Sequence, residues 1–196
     1  ALREVQQTKR TRVVLLEGPA GCGKSRLASW LCQEANAWAG ITTLHATHSA
    51  IPEPSNGLAP MLSKALRCRN LSRAELVERL AHVLPRIGLA ELDEIHGIAE
   101  LIQPLGPGEH SPGKRPVRFY SNQERHQMVQ RVLHRIGGEE LSTRPIIVWF
   151  DDLQWGQDSI NFIRHLLRIS GRASEPILVV GTVQVGALQE RKEEAE

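Results

Sequence analysis

Gly18-Pro19-Ala20-Gly21-Cys22-Gly23-Lys24-Ser25 occupies residues 18–25 of this chain. It follows the pattern Gly-x4-Gly-Lys-Ser of a phosphate-binding loop (P-loop), in which glycines let the backbone curl around a phosphate. The run 13–17 before it, Val-Val-Leu-Leu-Glu, predicts a short buried strand, and residues 26–32 after it carry apolar side chains at helical spacing. This order points backbone N–H groups and a helix N-terminus at an anion. The sequence therefore predicts a nucleoside triphosphate site here.

The loop also supplies the side chains that this chemistry needs. Lys24 is expected to reach the β- and γ-phosphates and to act in catalysis, and Ser25 is expected to place its hydroxyl on Mg²⁺. A thiol at a helix N-terminus is open to alkylation, although Cys22 can also be a small residue tolerated at a variable position. The residues of this region expected to contact the nucleotide are Gly18, Pro19, Ala20, Gly21, Cys22, Gly23, Lys24, Ser25 and Arg26.

Composition is that of an ordinary soluble protein. The 196 residues are 41% hydrophobic and 23% charged, and the net charge of +2 does not favour direct nucleic-acid binding. No apolar run approaches the roughly 20 residues of a membrane span, so no membrane partner is expected. The three cysteines form no paired framework, which favours a reducing environment and a cytoplasmic location.

Short apolar strands alternate with amphipathic helices along the chain. This alternation predicts an α/β fold with a mostly parallel sheet covered on both faces, and a helical insertion between strand two and the third strand. We expect one domain over residues 1–196, truncated at both ends, with a flexible Gly- and Pro-rich loop at 106–116. Strands are predicted at 13–17, 41–46, 146–150 and 177–181, and helices at 2–9, 24–37, 58–66, 72–84, 89–103, 121–136 and from 158 to 167.

The strand 146–150 is followed directly by two carboxylates, Asp151 and Asp152. Ligand sites of open parallel sheets lie at the carboxyl ends of the strands. Asp151 is expected to hold Mg²⁺, directly or through water, and Asp152 to orient and deprotonate the attacking water. The alternatives are a solvated strand-end carboxylate for Asp151 and a helix N-cap for Asp152.

The nine residues 151–159, Asp-Asp-Leu-Gln-Trp-Gly-Gln-Asp-Ser, resemble the Asp-Asp-Leu-His-Trp-Ala-Asp-x-x-Ser stretch of AAA-like STAND ATPase domains. The segments 12–18, 23–27 and 177–182 are similar to the same family. The resemblance implies a three-layer P-loop NTPase whose C-terminal part is missing from this chain, with ATP and Mg²⁺ as ligands. It also implies a slowly hydrolysing switch domain of large signalling or transcription regulators. Its partners would be the other domains of the parent protein, and self-association is a further expectation.

The chain departs from that family pattern in three respects, of which one is the shorter spacing of the Asp158-Ser159 pair. Gln154 replaces a histidine, and Gln184 stands where an arginine is thought to sense the γ-phosphate. Glutamine cannot compensate charge as arginine does. Thr182 is still expected to bind the nucleotide by donating a hydrogen bond to a phosphate or a water. Nucleotide binding with weak hydrolysis is therefore the expectation.

Two alternative functions stay open at this point. The main alternative to an ATPase switch is a non-hydrolysing interaction scaffold. The alternative enzyme is a P-loop small-molecule kinase. The absence of an Asn-Lys-x-Asp run argues against a GTPase, and the absence of Leu-Ser-Gly-Gly-Gln argues against an ABC-type ATPase. His45 and His48 have the spacing of two metal ligands, but the sequence offers no evident third ligand.

Overall fold

The computed structural model describes residues 1–51, 53–106, 119, 121–137, 144–170 and 176–187. The chain divides into two compact units. The sheet unit comprises Ala1–Leu58 and Glu139–Glu196, and the helical unit comprises Ala59–Gly138. The predicted single domain over 1–196 stays a prediction, because two compact units can belong to one domain.

The sheet unit contains a four-stranded sheet in the order β1-β4-β3-β2, and every neighbouring pair is parallel. The register pairs Leu16 of β1 with Thr182 of β4, and Thr47 of β2 with Asp151 of β3. The carboxyl ends of all four strands therefore meet at one edge of the sheet. The strands are β1 (Arg12–Gly18), β2 (Thr43–Thr47), β3 (Ile146–Asp151) and β4 (Ile177–Gln184).

Strand β3 shows why this sheet is covered on both faces. Side chains alternate between the faces of a strand, and Ile147 and Trp149 pack on one face in a cluster with residues of two helices. Ile146, Val148 and Phe150 point to the opposite face and are buried as well. The predicted P-loop α/β fold with its parallel sheet is thus confirmed, and the helices of this unit are α1 (Leu2–Thr8), α2 (Lys24–Ala39) and α7 (Gln157–Ile169).

The helical unit lies in the chain between β2 and β3, which confirms the predicted insertion. Helix α4 contacts α5, and α5 contacts α6. The run Ser72-Arg73-Ala74-Glu75 has the Ser-x-x-Glu pattern of a capping box. It forms one at the start of α4, with the Ser72 N–H donating to Glu75 at 2.8 Å and the Glu75 N–H donating to the Ser72 hydroxyl at 3.4 Å. The helices of this insertion are α3 (Leu58–Ala65), α4 (Arg73–Val83), α5 (Leu92–Ile102) and α6 (Asn122–Gly137), with a 3-10 turn at Leu84–Ile87.

Two remaining expectations concern the predicted flexible loop at 106–116 and membrane-spanning helices. Residues 107–116 of the predicted flexible loop lie outside the described residues. Within the part of the chain that the structure describes, every helix is too short or too polar to cross a lipid bilayer.

Candidate functional site

The loop of residues 18–25 connects β1 to α2, and its glycines are there for two different reasons. Gly21 and Gly23 have φ angles of 76° and 94°, in the left-handed region that favours glycine. At Gly18 the constraint is space, since a Cβ would lie 2.7 Å from the sulfur of Cys22. Gly23 is also the N-cap of α2, so the unpaired N–H groups of the first turn of this helix face the loop. The loop is built as an anion-binding turn.

A pocket of about 320 Å³ lies beside this loop. It is bounded on one side by the loop and the start of α2, and on the other by the carboxyl ends of β3 and β4. Its lining residues are Ala20, Gly21, Gly23, Lys24, Ser25, Arg26, Asp152 and Gln184.

The ammonium group of Lys24 is held by the loop itself. Lys24 Nζ donates to the carbonyl oxygens of Gly18 at 2.9 Å and Pro19 at 2.8 Å. Charge-assisted bonds of this kind are short and strong. A phosphate entering the pocket would compete with these two carbonyls for Lys24. Its oxygens are negatively charged, which makes them better acceptors for an ammonium group than neutral carbonyl oxygens.

Asp151 lies where the loop meets the sheet. Its Oδ1 accepts hydrogen bonds from the Ser25 hydroxyl at 2.7 Å and from the Thr182 hydroxyl at 2.5 Å. Carboxylate and hydroxyl oxygens are hard ligands that suit Mg²⁺, so Ser25 and Asp151 form a donor set that fits this metal. Thr182 is fully buried, and its oxygen accepts the Asp152 N–H at 2.9 Å. The structure therefore places Thr182 against the two aspartates, and its direct contact with a nucleotide stays a prediction.

Strand β3 ends at Asp151, and Asp152 does not have the extended backbone of a strand. Two adjacent aspartates can therefore both belong to one site. The φ of 52° at Asp152 puts it in the left-handed region, and the 3-10 turn Leu153–Trp155 follows. Adjacent strand residues point to opposite faces, but this turn brings Asp152 to the pocket. Gln154 Nε2 donates to Asp152 Oδ1 at 3.2 Å, so this glutamine orients the carboxylate.

Of the predicted loop residues, Gly18, Pro19 and Cys22 are not among those that line the pocket. Ala20, Gly21, Gly23 and Arg26 line the pocket, as expected of nucleotide-binding residues. Cys22 is exposed in the loop. Gln184 also lines the pocket, and in the sheet register it is the partner of Gly18, the first residue of the loop.

The sequence missed the role of His48, which follows directly after β2. Its Nδ1 donates to the carbonyl oxygen of Asp151 at 2.8 Å, and its Nε2 lies 2.9 Å from the Ser159 hydroxyl. Burial lowers the pKa of His48 below its ordinary value, although the Asp151 carbonyl and the nearby aspartates oppose this. His45 instead stacks on Trp149, with 3.7 Å between ring centroids. A histidine at the carboxyl end of a strand that borders the site was the signal available in the sequence.

Comparison with known proteins agrees with this geometry. The family model for the AAA ATPase domain matches residues 1–180, which includes the loop, Asp151 and Asp152. A search of curated proteins found no match. AAA ATPase domains bind nucleotides, as expected of the pocket and its loop. The chain belongs to the AAA ATPase domain family.

Proposed function

We propose that this chain binds ATP with Mg²⁺ and hydrolyses it slowly, as the nucleotide switch of a multidomain regulatory protein. The observation that carries the proposal is the 2.7 Å hydrogen bond from Ser25 to Asp151, which joins residues 126 positions apart. It brings a hydroxyl and a carboxylate together beside a helix N-terminus and Lys24. That combination suits the polyphosphate chain of a nucleoside triphosphate with its metal.

Binding would begin with an exchange of partners at Lys24. The terminal phosphates would replace the carbonyl oxygens of Gly18 and Pro19 as acceptors for its ammonium group. The N–H groups of the loop and of the first turn of α2 would hold the remaining phosphate oxygens. Adenine is favoured over guanine only by the family membership and by the missing guanine-recognition motif.

The metal would be held by Ser25 and Asp151. When bound, Mg²⁺ would neutralise charge on the phosphate oxygens. Thr182 supports this arrangement, because its hydroxyl donates to the same Asp151 oxygen as Ser25 does and keeps the carboxylate directed at the loop.

Asp152 is the candidate for orienting and deprotonating the attacking water. It lines the pocket, and Gln154 holds one of its oxygens. Hydrolysis should be slow because the pocket residue Gln184 is neutral. It cannot offset the charge that develops on the transferring phosphoryl group.

The regulatory role rests on the resemblance of residues 151–159 to STAND ATPase domains. In this proposal the chain is cytoplasmic, and the bound nucleotide changes its contacts with other domains of the parent protein or with a second copy. A non-hydrolysing scaffold is the second candidate, and Gln184 is the observation that favours it.

The first experiment measures binding of ATP, ADP and GTP, with and without Mg²⁺, to the wild type and to Lys24→Ala. At an ATP concentration of 100 times Kd, binding adds about 2.7 kcal/mol of stability. For a domain of this size that raises Tm by roughly 5–10 °C. Lys24→Ala should abolish this shift. Lys64→Ala on α3, an exposed lysine, is the matched control and should keep it.

Phosphate release then separates the two candidates. Slow turnover that requires Mg²⁺ supports the switch, and binding without any turnover supports the scaffold. Absence of nucleotide binding to the wild type would contradict both nucleotide-binding proposals.

A further inference from the structure

His48 is held by bonds on both sides of its ring. Its backbone N–H and its Nδ1 both reach the carbonyl oxygen of Asp151, at 3.1 and 2.8 Å. A carbonyl only accepts, so Nδ1 carries the ring proton. In the neutral ring Nε2 is then an acceptor, and Ser159 donates its hydroxyl to it at 2.9 Å. The hydrogen bonds thereby determine both the tautomer and the orientation of the ring.

The ring also fills the space beside Gly156. A Cβ at Gly156 would lie 2.4 Å from Cδ2 and 2.6 Å from Nε2 of His48, distances that real Cβ atoms essentially never show. The backbone of Gly156 has a φ of −106°, which any residue can adopt. The glycine is therefore required by the ring of His48 and not by its own backbone.

These contacts lie at both ends of the segment Asp151–Gly156, which we call the acidic turn. Its first residue accepts from Nδ1, its last residue packs against the ring, and Ser159 belongs to the first turn of α7 directly after it. Within the turn, Asp152 has the left-handed φ of 52°. Side chains rarely adopt that conformation, and it persists where surrounding contacts hold it.

We propose that His48 is a positioning residue that holds the acidic turn in the conformation that presents Asp151 and Asp152 to the nucleotide. His48 is 8% exposed and does not line the pocket, so it acts through the turn and not on the reacting groups. This inference rests on the proposed function, because the position of the turn matters for catalysis only if a nucleotide is bound there.

The structural half of the proposal is tested without nucleotide, by hydrogen exchange of the backbone amides in the acidic turn. The N–H groups of Trp155 and Gly156 bond within the turn, and that of Asp152 bonds to Thr182. In His48→Ala these three amides should exchange at least about tenfold faster than in the wild type, because a change of that size corresponds to one buried hydrogen bond. The remaining amides of the sheet should be unchanged.

Two further variants separate the Asp151 contact from simple loss of packing. His48→Asn places an amide N–H near the position of Nδ1 and should restore most of the protection. Ser159→Ala removes only the bond to Nε2 and should give an intermediate rate. His82→Ala is the control, since His82 is exposed on α4 and bonds only to the Glu78 carbonyl of its own helix. If His48→Asn exchanges as fast as His48→Ala, or if neither differs from the wild type, the proposal is wrong.

The functional half of the proposal is tested by measuring kcat and KM for ATP hydrolysis by the His48→Ala variant. Small misplacements of catalytic groups lower rates by up to about 100-fold, so His48→Ala should lower kcat by about 10- to 100-fold. Its KM should change by less than about threefold, because the loop and Lys24 still bind the phosphates. A rise in KM of about 10- to 100-fold with unchanged kcat would overturn the positioning role.

The two proposals fail in different ways. If the wild type binds no nucleotide while His48→Ala loosens the turn, the proposed function is wrong and the structural role of His48 stands. If the wild type binds and hydrolyses ATP while His48→Ala behaves as the wild type, the proposed function stands and the role of His48 is refuted.

Discussion

Replacement of Gly156 by alanine should lower stability through a collision with one identifiable side chain. The added Cβ would lie 2.4 Å from His48 Cδ2, whereas ordinary contacts begin at 3.4 Å. The ring would therefore have to move by about 1 Å, which is enough to break its bonds to Asp151 and Ser159. Overpacking of this kind costs about 1–3 kcal/mol. At about 2–4 °C per kcal/mol for a domain of this size, Tm should fall by roughly 2–12 °C.

A double-mutant cycle with His48→Ala identifies the cause. In the His48→Ala background the space is free, so Gly156→Ala should cost less than about 0.5 kcal/mol, and the coupling should be at least about 0.5 kcal/mol. Thermal unfolding of the four proteins by circular dichroism measures this. Gly40→Ala is the control, because its φ of 59° makes alanine unfavourable in either background and its cost should be additive. Equal costs of Gly156→Ala in the two backgrounds would refute the reasoning.

Three further predictions concern nucleotide chemistry. Asp152→Asn should bind ATP with a Kd within about threefold of that of the wild type. In a phosphate-release assay it should hydrolyse ATP at least about 100-fold more slowly, because the amide cannot take a proton. Retained turnover would show that Asp152 does not deprotonate the attacking water. Gln184→Arg should raise the hydrolysis rate at least about tenfold, since it adds a positive charge to the pocket; an unchanged rate would mean that Gln184 does not limit hydrolysis. Alkylation of the exposed Cys22 by N-ethylmaleimide should block nucleotide binding, with Cys22→Ser as the resistant control; full modification with unchanged binding would contradict this.

Cys22 should be the thiol that reacts first. Cys32 is partly buried and Cys68 is buried, and burial raises the pKa of both thiols. Mass spectrometry of the modified peptides checks the order of reaction.

The fold was largely predictable because its signals are local. The loop pattern, the apolar strand 146–150 and the capping box at Ser72 each depend on residues close together in the chain, and each appears in the structure. The observed ends of strands and helices differ from the predicted ends by a few residues. The second strand, for example, is Thr43–Thr47 and not 41–46. Strand and helix ends depend on hydrogen bonds to neighbouring strands and turns, which a local pattern does not specify.

The candidate site was predictable only in part. Lys24, Ser25, Asp151 and Asp152 were found because their residue types and spacing follow the chemistry of phosphate and Mg²⁺ binding. The hydrogen bond expected from Thr182 to a phosphate or a water stays a prediction, and what the sequence did not indicate is that its hydroxyl bonds to Asp151 and to the Asp152 N–H. Its direction follows from the pairing of β4 with β3.

The sequence by itself determined the residues of the candidate site: a glycine-rich loop that ends in a lysine and a serine, and two carboxylates at the end of an apolar strand. The tertiary structure decided how these groups are held. His48 meets Asp151 and Ser159 across 103 and 111 residues, and Ser25 meets Asp151 across 126. The physical reason is that glycine conformations and strand periodicity are properties of neighbouring residues. The order β1-β4-β3-β2 and the contacts at its carboxyl edge arise only when distant segments pack into one sheet.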